Sequence, residues 1–128
     1  MSMERHVRIT AGSVTATAVL DSSETAAAVW AALPLTGVAS RWGDEFFFTI
    51  PVHQPEAPDA RQDMQVGELA YWPVGAAFCI FFGPTPASTG GSPRAYSNVN
   101  PFGIVEGDTA ALGGVRDGDA VLVEAEQY

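Results

Sequence analysis

Over residues 5–10, apolar and polar positions alternate with a period of two. Val7 and Ile9 lie on one face of an extended segment, and the polar residues between them point to the other face. Residues 13–20 repeat this alternation after Ala11 and Gly12, a pair that is typical of a turn. The pattern predicts a β-hairpin at the start of the chain.

A helical spacing replaces this alternation between residues 22 and 33. The apolar residues there are three or four positions apart and form one stripe: Ala26, Val29, Trp30 and Leu33. Asp21 and Glu24 resemble a capping box, which satisfies the first free N–H groups of a helix. Pro34 cannot continue the hydrogen-bond ladder. We therefore predict one main helix over residues 22–33.

Strand alternation returns at residue 45 and gives that strand two different faces. One face is uniformly apolar and is expected to fill the interior: Phe46, Phe48 and Ile50. The other face is mixed and is predicted to form the outer wall: Glu45, Phe47 and Thr49. A ligand would have to bind on the wall that carries polar groups, so this outer face holds the predicted site.

The remainder of the chain predicts further short strands joined by long connections. The apolar runs that indicate strands are 69–72, 76–82, 102–107 and 120–125, with a short helical segment at 108–112. Residues 51–63 and 83–97 are rich in proline and polar residues, so we expect surface connections there, the second long enough to be a binding loop. Many short strands with one main helix favour a mainly β fold, a barrel, in a single domain over residues 1–128.

The net charge and the composition of the chain limit the kinds of partner and the cellular location that we expect. The chain of 128 residues has a net charge of −9, and none of its 6 basic residues is lysine. Neutralising phosphates requires a basic surface, so nucleic acid is excluded as a main partner. The apolar runs are far shorter than the roughly 20 residues of a membrane helix. Charged residues near the N-terminus and a single cysteine indicate neither a signal peptide nor an internal disulfide, so we expect a cytoplasmic protein.

The sequence predicts no metal site and no cofactor. His6 and His53 have no cysteine or second histidine at ligand spacing. Residues 83–86 follow an apolar run but lack the Gly-Lys-Ser/Thr element that holds nucleotide phosphates. Cys79 lies inside an apolar run, where a thiol behaves as a small buried hydrophobe.

Polar residues near aromatic ones supply the candidate chemistry. Glu45 shares its strand face with Phe47, so it is either a ligand contact with a raised pKa or an ordinary exposed acid at a strand start. The amides of Asn98 and Asn100 would project from one side of an extended chain, or they form a turn before Pro101. Both alternatives stay open for each group.

Three aromatic residues with polar atoms suit either barrel packing or a pocket lining: Trp42, Tyr71 and Trp72. For Trp42 we expect packing.

Four motifs in this order resemble a family of small prokaryotic proteins with a cyclophilin-like fold and no established function. The resemblance extends over most of residues 13–125. Its motifs are Trp42-Gly43-Asp44-Glu45-Phe46-Phe47-Phe48, Gly67-Glu68-Leu69-Ala70-Tyr71-Trp72-Pro73, Cys79-Ile80-Phe81-Phe82-Gly83-Pro84-Thr85-Pro86 and Ser97-Asn98-Val99-Asn100. Residues 102–107 also look like a strand and turn of the cyclophilins themselves. The resemblance implies a closed barrel of about eight strands with a helix over one or both open ends.

The same resemblance bears on catalysis. True cyclophilins are prolyl isomerases whose signature strand carries an arginine, whereas the comparable strand here, residues 45–48, has none. Arg41 lies before the matching position, so the catalytic role is not transferred to it. Without a cation to polarise the prolyl amide, the isomerase hypothesis loses its electrostatic element.

We therefore predict that the barrel binds a small molecule or a peptide in a groove. The predicted lining residues are Glu45, Phe47, Tyr71, Trp72, Thr85, Asn98 and Asn100. Two alternatives remain. One is an enzyme, either a prolyl isomerase that works without the usual arginine or a hydrolase that uses Glu45. The other is an interaction module that forms a homodimer through its strands.

Overall fold

The computed structural model describes residues 4–126, and the prediction of one domain over residues 1–128 extends beyond this range at both ends. The described chain is mainly β, with one α-helix, α1 (Glu24–Ala32), and a 3-10 helix (Ala110–Gly114). The strands are β1 (Arg5–Ala11), β2 (Val14–Leu20), β3 (Leu35–Val38), β4 (Ser40–Arg41), β5 (Glu45–Thr49), β6 (Arg61–Asp63), β7 (Glu68–Trp72), β8 (Ala77–Phe81), β9 (Arg94–Val105) and β10 (Ala120–Ala125).

The N-terminal hairpin is confirmed. β1 and β2 pair antiparallel over their whole length, from Arg5 opposite Leu20 to Ala11 opposite Val14. Gly12 in the turn has a φ of +59°, a conformation that glycine adopts without steric cost. The alternation of apolar and polar residues was sufficient to predict this hairpin because each strand buries one face against the same core.

The helix lies where it was predicted, but its cap differs from the prediction. The Ser23 hydroxyl accepts the N–H of Ala26 at 3.1 Å, so Ser23 is the N-cap residue. The Asp21 carboxylate instead accepts the N–H of Ser23 at 2.8 Å. The predicted capping box of Asp21 and Glu24 is therefore wrong by two positions, because serine also satisfies the N–H groups of a first turn.

The strands form one antiparallel sheet that is not closed into a barrel. The strand order is β3-β10-β1-β2-β9-β7-β8-β5-β4, with β6 paired to β9 off this path. The terminal strands β3 and β4 follow one another in the chain, separated only by Ala39, and do not pair with each other. The prediction of a closed barrel is therefore wrong. Gly37 of β3 packs against the ring of Phe48 on β5, so the two ends of the sheet meet through side-chain packing and not through the backbone hydrogen bonds that would close a barrel.

The sheet has ten strands in the described residues rather than the predicted eight or so. β6 lies in the connection predicted over residues 51–63, and β9 begins at Arg94, inside the predicted loop 83–97. Pro101 lies within β9, next to a register shift opposite Leu69 and Ala70. A bulge tolerates proline within a strand. The prolines of the predicted loop 83–97 all precede Arg94, so its composition described the first part of that segment and not the start of β9.

Strand alternation divides the buried residues between two clusters on opposite faces of the sheet. The main core contains the apolar face of β5, as predicted, and the inward residues of its neighbours: Phe46, Phe48, Ile50, Leu69, Tyr71, Phe78 and Ile80. The alternate positions form a second, smaller cluster with residues of β9: Met64, Ala70, Ala77, Cys79, Phe81, Ala95 and Val99. Phe47 and Trp72 pack against this outer cluster.

Candidate functional site

A cavity of about 140 Å³ opens on the outer face of the sheet, beside the second cluster. We call it the Trp72 cavity. Residues from the β4–β5 turn and from β5, β7, β8 and β9 line it: Trp42, Glu45, Phe47, Trp72, Cys79, Ala95, Tyr96 and Val99.

Strand register brings these residues together from distant parts of the sequence. Phe47 on β5 lies directly opposite Cys79 on β8, and Cys79 lies opposite Ala70 on β7. The indole N–H of Trp72 donates to the hydroxyl of Ser97 at 2.7 Å, which links the end of β7 to β9. The cavity wall is therefore built on paired strands, which hold side chains more rigidly than a free loop does.

The aromatic side chains of the cavity meet edge to face. The Tyr96 ring lies 6.0 Å from the Trp42 ring and 6.0 Å from the Trp72 ring, with interplanar angles of 71° and 77°. The Phe47 and Trp72 rings are 6.4 Å apart at 71°. Neighbouring rings are thus steeply inclined to one another, and all four rings belong to the residues that line the cavity.

Glu45 is the one carboxylate among the residues that line this cavity. It is only 5% exposed, and burial raises the pKa of its carboxyl to about 7, against a smaller lowering by a hydrogen bond with the Cys79 thiol. Burial and the nearby Glu45 raise the pKa of Cys79 well above its ordinary value, so the thiol stays neutral. None of the ion pairs found within residues 4–126 involves Glu45.

Three of the seven residues predicted as lining come together at the cavity: Glu45, Phe47 and Trp72. Tyr71 belongs to the main core instead, where its hydroxyl donates to the carbonyl of Val52 at 2.7 Å. Adjacent residues of a strand face opposite ways, so Tyr71 and Trp72 cannot both face the cavity.

Two other residues predicted to line the site, Thr85 in the loop 83–97 and Asn98 directly after it, make contacts elsewhere. The buried Thr85 hydroxyl donates to the carbonyl of Arg94 and so fastens the loop to the start of β9. Asn98 is exposed, and its amide lies 3.4 Å from the carboxylate of Glu56. Neither Thr85 nor Asn98 is among the residues that line the cavity.

Five lining residues were not among the predicted ones: Trp42, Cys79, Ala95, Tyr96 and Val99. Cys79 was interpreted as core packing, and it is buried, but in the cluster beside the cavity. The sequence did carry a signal for this position. Cys79 alternates with Phe78 and Ile80, so if those two residues face the main core, Cys79 lies on the outer face. No local signal in the loop composition indicated Ala95, Tyr96 or Val99.

Asn100 is a structural residue whose side-chain amide makes three hydrogen bonds, to the helix and to the connection before β6. Its amide oxygen accepts the N–H of Ala57 at 2.8 Å, and its nitrogen donates to the carbonyl of Pro55 at 2.9 Å and to the Thr25 hydroxyl at 3.2 Å. It thereby joins β9 to the helix and to the connection before β6.

Replacing Asn100 by alanine is expected to lower the free energy of unfolding by about 2–3 kcal/mol, because buried polar groups lose their partners. Urea denaturation measures this change. The exposed Asn98 provides the control, and Asn98→Ala should change stability by less than about 0.5 kcal/mol. Equal effects of the two substitutions would contradict the structural role of Asn100.

No group of three or more His, Cys, Asp or Glu residues that could hold a metal ion lies within residues 4–126. Neither helix in this range has the length and apolarity needed to cross a membrane.

A family model and a solved structure both match nearly the whole chain. The family model described as Cyclophilin-like matches residues 5–124. A hypothetical protein from Archaeoglobus fulgidus, known from its solution structure, is 36% identical in sequence and superposes with a TM-score of 0.83 over 98% of each chain. No curated protein matches the chain significantly.

Proposed function

This chain belongs to the cyclophilin-like family, and we propose that it uses this fold to bind a small ligand in the Trp72 cavity. The observation that carries the proposal is a buried carboxyl, Glu45, among aromatic rings that meet at nearly right angles. Ligand pockets are typically apolar and aromatic, with a few placed polar groups that orient the ligand. Perturbed carboxyl groups in clefts are common at functional sites.

The size of the cavity limits the ligand. A volume of about 140 Å³ is close to that of an engineered protein cavity of about 150 Å³ that accepts benzene. The cavity therefore takes a compact group of about six non-hydrogen atoms, and any larger ligand extends past Tyr96 into solvent. Tyr96 is 71% exposed and stands at the rim, where a bound ligand would cover it.

Binding is tested by titrating the protein with small aromatic and aliphatic fragments, charged and neutral, while backbone amide NMR spectra are recorded. We expect shifts to concentrate on β5, β8 and residues 95–99. The variant Tyr96→Ala should weaken binding about tenfold with little change in stability, because Tyr96 is mostly exposed.

The matched control is Val38→Ala, an apolar residue that is also mostly exposed but does not line the cavity. It should leave fragment binding unchanged. Failure of every fragment to shift the cavity residues would contradict the proposed function, as would equal weakening by the two variants.

Prolyl isomerase activity is expected to stay at background. Catalysis by electrostatic stabilisation needs a donor or cation aimed at the reacting amide, and the residues that line the cavity include no arginine. An assay on a proline-containing tetrapeptide, run beside a true cyclophilin, measures this directly. Activity comparable to that of the cyclophilin would contradict the expectation.

A further inference from the structure

The carboxyl of Glu45 lies in an environment without a cationic side chain. Arginines near the cavity are engaged with other acids: Arg41 with Asp44 at 3.1 Å, and Arg94 with Asp63 at 2.7 Å. No arginine or histidine is among the residues that line the cavity. The Cys79 thiol, which hydrogen-bonds to Glu45, carries no positive charge. Burying a carboxylate without a cation beside it is unfavourable, so a positive charge brought by a ligand would relieve the cost.

The rings around Glu45 favour the same kind of charge. The face of an aromatic ring is electron-rich and attracts a cation within about 6 Å of its centroid, most strongly for tryptophan and tyrosine. Two tryptophans and a tyrosine line the cavity, with Phe47 beside them. Neighbouring rings are inclined at 71° to 77°, so their faces point in different directions. Contacts from several directions suit a tetrahedral head group better than a flat one.

We propose that the ligand is a small organic cation whose methylated ammonium head enters the Trp72 cavity. The inference rests on the proposed function and names its ligand class. The aromatic rings of Trp42, Trp72 and Tyr96 contact the methyl groups, and the Glu45 carboxylate supplies the countercharge. A fully methylated, quaternary ammonium has no N–H donor, so the scarcity of polar atoms on the cavity wall is compatible with it.

Binding of such a cation is coupled to the protonation of Glu45. The cation favours the charged carboxylate, so binding lowers the pKa of Glu45 from about 7 and releases a proton. The other titratable groups that line the cavity are the Cys79 thiol, whose raised pKa keeps it neutral, and the phenol of Tyr96. Asp44, next to Glu45 in the chain, is paired with Arg41. Affinity is therefore expected to rise with pH through neutrality.

The test compares choline with 3,3-dimethyl-1-butanol, its neutral analogue of the same shape, by titration calorimetry on the full chain. We expect choline to bind at least about tenfold more tightly than the alcohol. Its affinity should rise from roughly pH 6 to pH 8, whereas the weak binding of the alcohol should not increase over this range.

Substitutions separate the contribution of charge from that of shape. Glu45→Gln should abolish the rise with pH, and Trp72→Leu should weaken choline binding about tenfold while keeping an apolar side chain. The matched control is Trp30→Leu, since Trp30 lies on α1 away from the cavity. Tyr96→Leu provides a second cavity variant at an exposed position, which does not depend on the folding of Trp72→Leu.

Each outcome decides between the two proposals. Preferential binding of choline that depends on Glu45 and Trp72 supports the inference. Equal binding of choline and the alcohol overturns the cation inference but leaves the small-ligand function standing. Binding of neutral fragments in the cavity without any binding of choline likewise overturns the cation inference and leaves the small-ligand function standing. Absence of all binding at the cavity overturns both.

Discussion

Replacing Phe48 by alanine is expected to lower the free energy of unfolding by about 3–5 kcal/mol, the cost of truncating a buried aromatic residue. Phe48 is 1% exposed, and its ring stacks on Phe78 with centroids 5.2 Å apart. The ring also packs against Gly37, where the two ends of the sheet approach each other without pairing. Alanine would leave a cavity at this junction, and the surrounding strands cannot fully collapse into it.

Chemical denaturation followed by circular dichroism measures the change, and the next residue in the strand supplies the control. Thr49 is exposed on the opposite face, so Thr49→Ala should change stability by less than about 0.5 kcal/mol. If Phe48→Ala proved as mild as Thr49→Ala, the assignment of the two faces of β5 would be inverted.

The faces of β5 were predictable because the period of a strand is local. Three apolar side chains at alternate positions belong on one side of a sheet whatever the partner strands are, and Phe46 and Phe48 accordingly lie in the main core. The hairpin β1–β2 follows from the same rule. The helix followed equally from its local stripe, whereas its exact cap depended on which of several polar side chains reached the free N–H groups.

Strands that depend on distant partners were not predictable in this way. β6 has only three residues and no apolar alternation, and it exists because β9 offers it a pairing edge. The first part of β9, up to Pro101 at a register shift, is mostly polar and resembles a loop, so the sequence predicted a strand only from residue 102. The open ends of the sheet have the same origin, because closure depends on how β3 and β4 lie relative to each other and not on their own composition.

The residues of the candidate site likewise fall into those that local sequence predicts and those that depend on distant strand pairing. Glu45 and Phe47 were accessible from the sequence because a single strand places them on one face. Tyr96 and Val99 reach the cavity through β9, which joins β7 by a shifted register and β6 by another. Asn100 illustrates the converse: its amide suggested a ligand contact, but its partners Ala57, Pro55 and Thr25 come from segments 43 to 75 residues away.

Glu45 should make the stability of the protein fall as the pH rises. Its carboxyl has an ordinary pKa of 4.5 in the unfolded chain and about 7 in the folded protein, because burial penalises the charged form. Between these values the folded state binds more protons than the unfolded state, so protonation stabilises the fold. The stabilisation is complete below pH 4.5 and is lost as the pH rises through 7. The expected loss is about 3 kcal/mol.

Glu45→Gln isolates this contribution because glutamine keeps the shape of the side chain and cannot ionise. Unfolding is measured in urea from roughly pH 4 to pH 9 for both proteins, and the difference between their free energies is plotted against pH. His6, whose pKa is raised mainly by its hydrogen bond with Glu106, titrates in both proteins and cancels in the difference. The variant should match the natural protein in acid and exceed its stability by about 3 kcal/mol at alkaline pH. A difference that does not change with pH would mean that Glu45 is solvated in the folded protein, and the buried carboxyl on which the proposed function rests would be lost.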